Sequence, residues 1–128
     1  MDGGEWLAGG CHCGAVRFRV RVRARRALRC NCSICSKKGF IGLIVAAEDF
    51  DVESGDSELE IYRFNTGLAQ HHFCGGCGIH PFSRPRSHPE GFDVNICCLD
   101  EWSGAASGDW EIQDFDGQNW EESVDQIR

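Results

Sequence analysis

The sequence predicts a mainly β domain, built of short strands and closed by one short C-terminal helix. Sixteen Gly against three Pro and one Met mark a turn-rich chain, because glycine is costly inside long helices. From Gly14 to Arg23 the residues alternate, with Val16, Phe18, Val20 and Val22 on one face and Arg17, Arg19, Arg21 and Arg23 on the other, as a half-buried strand requires. Near the end of the chain Asn119 is placed to cap a helix and Glu122 holds the capping-box position, while Trp120, Val124 and Ile127 recur at helical spacing.

Between these segments, strands are expected over residues 40–46, 59–64, 70–73, 80–84, 92–97 and 111–115, each bounded by Gly, Asp, Ser or Pro. A chain of 128 residues has the size of one domain with a modest core, and it contains no repeat, linker or low-complexity stretch. The expected organisation is a short N-terminal tail over residues 1–6 and a single domain over 7–128.

The opening Met1-Asp2-Gly3-Gly4-Glu5-Trp6 has neither the positive nor the apolar region of a secretory signal. No apolar run approaches the roughly 18 residues that span a bilayer, so the expectation is a cytoplasmic protein with no membrane partner. In a reducing compartment clustered cysteines bind metal more often than they form disulfides. The net charge of −7 disfavours nucleic acid as a general partner. That average hides an asymmetry: arginines crowd residues 17–29, whereas 93–125 is acidic with no Lys or Arg. Self-complementary packing, a dipolar surface and a local anion site all fit this pattern.

The nine cysteines fall into four groups, and their spacing carries the chemistry. Phe73-Cys74-Gly75-Gly76-Cys77-Gly78 is a zinc knuckle, two thiolates on one tight glycine turn, and Cys11-His12-Cys13-Gly14 supplies a second pair just before a strand. Together Cys11, Cys13, Cys74 and Cys77 make a closed four-thiolate site of the kind that holds structural zinc. Such a metal would tie distant stretches of the chain together and contribute directly to folding.

Cys30, Cys32 and Cys35 place three thiolates within six residues. Three protein ligands and an open position mark a reactive zinc; a closed site completed by Cys97, Cys98 or a histidine is the alternative. The scattered His12, His71, His72, His80 and His88 are expected to support ligands or lie on the surface rather than bind metal. Cys97 and Cys98, adjacent on an expected strand, point to opposite faces and read as small apolar residues.

The blocks Gly10-Cys11-His12-Cys13-Gly14-Ala15-Val16-Arg17-Phe18, Cys30-Asn31-Cys32-Ser33-Ile34-Cys35 and Phe73-Cys74-Gly75-Gly76-Cys77-Gly78 together resemble the glutathione-dependent formaldehyde-activating enzyme family. Tyr62-Arg63-Phe64-Asn65-Thr66, Pro85-Arg86-Ser87, Cys98-Leu99-Asp100-Glu101 and Phe115-Asp116-Gly117-Gln118-Asn119-Trp120-Glu121 look most like its branch that includes centromere protein V. The likeness runs from about residue 7 to residue 122. It implies an Mss4-like fold with two zinc ions, a structural one on Cys11, Cys13, Cys74 and Cys77 and a catalytic one on Cys30, Cys32 and Cys35.

The reaction so implied adds the thiol of glutathione to formaldehyde, formally a carbon–sulfur lyase run in reverse. An open zinc would activate a bound thiol and polarise a carbonyl. Glutathione is anionic, and Lys37, Lys38, Arg84 and Arg86 are the nearest candidates in sequence to bind its carboxylates. The competing expectation is a non-catalytic zinc module that binds a protein or chromatin partner.

Overall fold

A computed structural model describes residues 4–64, 66–102 and 110–127. Residues 1–3 of the expected tail and Asn65 of the Tyr62–Thr66 block lie outside the described residues. The strands are β1 (Glu5–Gly10), β2 (Arg17–Val22), β3 (Arg26–Cys30), β4 (Ile41–Val45), β5 (Phe50–Ser54), β6 (Leu59–Tyr62), β7 (Gln70–Cys74), β8 (Phe82–Arg84), β9 (Phe92–Asn95) and β10 (Glu111–Phe115). Two short helices accompany them, α1 (Ser33–Lys38) and α2 (Trp120–Ser123). The fold is therefore mainly β with a short C-terminal helix, as composition and alternation predict.

The strands form a three-stranded sheet, β1-β2-β5, and a seven-stranded sheet, β10-β3-β4-β9-β8-β7-β6. Every pairing is antiparallel except that of β10 with β3. The two sheets pack through one apolar cluster that includes Phe18, Val20, Val22 and Phe50 from the small sheet and Ala27, Leu43, Phe82 and Val94 from the large one. Phe50 is central, with its ring 4.8 Å from that of Phe82 and 4.7 Å from that of Phe92. Because side chains alternate across a strand, the residues between these core positions face the other side of the large sheet. Leu28, Ile44, His71, Ser83 and Asp93 line a cavity there.

Glu5 and Trp6 belong to β1, paired with Val22 and Arg21, so the ordered domain starts before the expected boundary at residue 7. The tail reading fails because the outward arginines of β2 give Trp6 a partner: the Arg19 guanidinium lies 4.5 Å from its ring centre. The expected strand over residues 92–97 stops at Asn95, whose side-chain oxygen accepts from the Cys97 amide at 3.1 Å and turns the chain into a 3-10 turn, Ile96–Cys98.

The arginine-rich stretch meets the chain's own carboxylates. Arg17 pairs with Asp100, Arg19 with Asp51, Arg25 with Glu5 and Glu101, Arg26 with Glu111 and Arg29 with Asp114. Self-complementary packing thus accounts for the charge asymmetry.

A further ion pair, Arg23 with Asp49, is buried on its acidic side. Asp49 is 4% exposed and accepts two hydrogen bonds from Arg23, at 2.8 and 3.0 Å. Those bonds hold its carboxyl below the usual range despite the opposing effect of burial. A depressed folded-state value stabilises the fold above the unfolded value of about 3.9 and loses that contribution as pH falls through the folded value. Asp49→Asn is expected to lower stability at pH 7 by about 1.5–3 kcal/mol, the range for hydrogen bonds to charged groups. Urea denaturation should show the gap between variant and parent narrowing as the pH is taken below about 4.

Candidate functional site

Four sulfurs converge where β1 ends and β7 turns. Those of Cys11, Cys13, Cys74 and Cys77 all lie within 4.8 Å of one another, with 3.6 Å between Cys11 and Cys13 and 3.7 Å between Cys13 and Cys74. A zinc–sulfur bond of about 2.3 Å in a tetrahedron gives an edge of roughly 3.8 Å, so the donor set fits zinc. The knuckle closes through Gly78, whose amide donates to the Cys74 carbonyl at 2.7 Å while its φ of 78° takes the left-handed turn that favours glycine. The Val16 amide donates to Cys11 Sγ at 3.3 Å. Burial acts to raise the Cys77 thiol, but the amides of Ile79 and Cys13 and the neighbouring sulfurs outweigh it and bring it down to about 6.

The second cluster, Cys30, Cys32 and Cys35, meets the same 4.8 Å criterion. Cys30 ends β3. Cys32 caps α1, its sulfur accepting from the Cys35 amide at 3.4 Å, and Cys30 Sγ accepts from the Cys32 amide at 3.4 Å. Among the described residues no fourth His, Cys, Asp or Glu joins the group. Sulfurs this close cannot all be ionised unless a cation sits among them. Cys30 and Cys35 together draw Cys32 down to about 2, while Cys32 in turn pushes Cys30 up to about 11 and Cys35 is raised further. Gly117 lies against the triad, where a Cβ would strike Cys30 Sγ and come within 2.9 Å of Cys32 Cβ.

The triad forms part of the wall of a cavity of about 590 Å³, completed by the rings of Phe40, Phe64, Phe115 and Trp120 and by the row of residues on the open face of the large sheet. Arg86 also lines it, stacked 3.7 Å from the Trp120 ring centre and paired with Glu121 at 2.7 Å. The other cations proposed from sequence are not on its wall. Lys37 is exposed, and Lys38 donates to His80 Nδ1 at 2.6 Å. Arg84 donates to the Pro89 carbonyl at 3.2 Å and covers the Phe92 ring. The strand β8 turns Arg84, and α1 turns Lys38, towards these partners and off the cavity wall.

Cys97 is exposed, whereas Cys98 is partly buried against the core and donates to the His80 carbonyl at 3.9 Å. Neither joins a metal-binding group among the described residues. Burial raises the Cys98 thiol to about 12.

A profile of the glutathione-dependent formaldehyde-activating enzymes matches residues 6–113. The chain belongs to this family. A Halomonas elongata protein provisionally named a glutathione-dependent formaldehyde-activating enzyme is 33% identical to it, over 60% of this chain and 63% of that relative's length. The chain thus spans less than two thirds of this relative. The crystal structure of a Rhodobacter sphaeroides protein superposes with a TM-score of 0.74 at 35% identity, covering 84% of this chain and all of the other. Family membership fits the two cysteine clusters, both of which offer donors suited to zinc. No helix among the described residues is long and apolar enough to cross a membrane.

Proposed function

We propose that this chain is a zinc-dependent carbon–sulfur lyase of the formaldehyde-activating type, joining glutathione or a related thiol to a small aldehyde and releasing it again. The observation that carries the reading is the three-sulfur cluster on a cavity wall with no fourth protein donor beside it among the described residues, set apart from a complete four-sulfur cluster. Cys11, Cys13, Cys74 and Cys77 would hold a structural zinc, and Cys30, Cys32 and Cys35 a catalytic one.

When bound at the triad, zinc supplies Lewis acidity and lowers the pKa of a thiol. The protein's own contribution is to place the reactants and exclude water. The aromatic walls desolvate the reacting atoms, which strengthens every polar interaction inside the cavity. Arg86 is the cation in this reading that meets a glutathione carboxylate. Its pairing with the exposed Glu121 costs little to exchange, since exposed ion pairs contribute only about 0–1 kcal/mol. In this reading the protein is cytoplasmic, and its partner is a small molecule rather than nucleic acid.

The test is NMR detection of S-hydroxymethylglutathione formed from glutathione and formaldehyde, with and without the zinc-loaded protein. The expected result is accelerated exchange between free and adduct signals. An unchanged exchange rate in protein with both clusters filled would favour the non-catalytic zinc module.

A further inference from the structure

Across the cavity from the triad, three strands bring polar side chains into one row. His71 on β7 pairs with Ser83 on β8, and Ser83 pairs with Asp93 on β9. Neighbouring strands lie about 4.8 Å apart, so Ser83 separates two ionisable groups on the same face, and all three line the cavity. Both ring nitrogens of His71 and Oδ1 of Asp93 are buried without a hydrogen-bond partner. Buried polar atoms are costly when left unsatisfied, so several of them on one cavity wall mark a place built to receive a polar ligand atom. Asp93 is held by close packing: its carboxyl lies flat against the Gly42 backbone, where any Cβ would collide with Oδ1.

We propose that this row is the binding site for the aldehyde oxygen, and that Asp93 is the proton donor that converts it to the hydroxyl of the thiol adduct. The inference deepens the lyase reading and rests on it. In the addition direction a bond forms between the thiol sulfur and the carbonyl carbon, the carbonyl π pair moves onto oxygen, and that oxygen takes the Asp93 proton. The proton lost by the thiol passes to solvent, and Asp93 regains one from solvent. The sum is thiol plus aldehyde giving the hydroxyalkyl thioether, with no change in oxidation state. In the reverse direction the Asp93 carboxylate accepts the hydroxyl proton as the carbon–sulfur bond breaks.

The other ionisable groups around the cavity are unsuited to this task. His71 is held neutral, burial bringing its imidazole down to about 4, so it offers a hydrogen bond and not an acidic proton. Glu121 and Arg86 are engaged with each other at the α2 side, and Cys30, Cys32 and Cys35 are committed to metal. From β4, the neighbour of Asp93 is the apolar Ile44. Burial raises the Asp93 carboxyl to about 7, close to where a general acid works best at neutral pH.

The test is Asp93→Asn, which keeps the shape against Gly42 but carries no acidic proton. In zinc-loaded protein the variant is expected to lower kcat for adduct formation by about 100-fold or more, with KM for glutathione and zinc content unchanged. The parent rate should fall as pH rises through neutrality, and the variant should lose that dependence. A variant with parent-like kcat and pH profile overturns the inference alone, whereas an inactive parent overturns the lyase reading and this inference with it. Should the variant fail to fold, infrared difference spectra of the parent decide. A protonated carboxyl band near neutral pH that shifts on adding glutathione and formaldehyde supports the role of Asp93, and its absence refutes it.

Discussion

Cys74→Ser is expected to abolish the cooperative thermal transition of the protein. Cys74 is fully buried at the end of β7, in a cluster whose buried members among the described residues are Cys11, Val16 and Cys74. So little apolar surface cannot by itself hold the end of β1 against the β7 turn. In the proposed reading a metal ion does so, linking Cys13 to Cys74, 61 positions away. Structural zinc in small domains contributes an apparent binding free energy of about 10–16 kcal/mol, as large as the whole stability of a typical domain, about 5–15 kcal/mol. Circular dichroism should show a broad, non-cooperative melt, and metal analysis a deficit of zinc. A strong chelator should do the same to the parent protein. A variant that melts sharply with full zinc content would refute the structural role.

Cys32→Ser should separate activity from folding. The cysteine is the N-cap of α1 and accepts from the Cys35 amide through its sulfur. Serine is itself among the preferred N-caps, so the helix keeps its cap while the metal loses a thiolate. The expected outcome is a thermal midpoint within a few degrees of the parent and loss of one zinc per chain. Metal affinity at the triad should fall by more than about 100-fold, since residues that merely support metal ligands already cost about 10- to 100-fold. Catalysis of adduct exchange should vanish with it. The contrast with Cys74→Ser is the informative result, because equal unfolding in both variants would mean that neither centre is specialised for chemistry.

Local pattern revealed some elements and concealed others. The strand β2 was legible because Phe18, Val20 and Val22 face a single core and are all buried, which writes a period of two into the sequence. The neighbouring β3 was not, because Ala27 faces the core while Leu28 faces the cavity, and a strand apolar on both sides shows no alternation. The strand β5 does alternate, Phe50 and Val52 inward against Asp51 and Glu53, but over five residues the pattern passes for a loop. The parallel pairing of β10 with β3 joins residues 85 apart, and nothing in either segment names its partner.

By itself the sequence determined the chemistry available: two groups of thiolates with metal-binding spacing, a mainly β chain, and a short helix near its end, where Asn119 makes no side-chain cap and donates instead to Asp116 at 2.8 Å. These are local properties, set by spacing within a turn and by periodicity within a strand. Tertiary structure alone decided which groups share the cavity. It brought Arg86 there while turning Lys38 to His80 and Arg84 to Pro89, and it aligned His71, Ser83 and Asp93 from three strands. The physical reason is register: the packing of Phe82 and Val94 into the core fixes how β8 and β9 align, and whatever stands between those residues is carried to the opposite face.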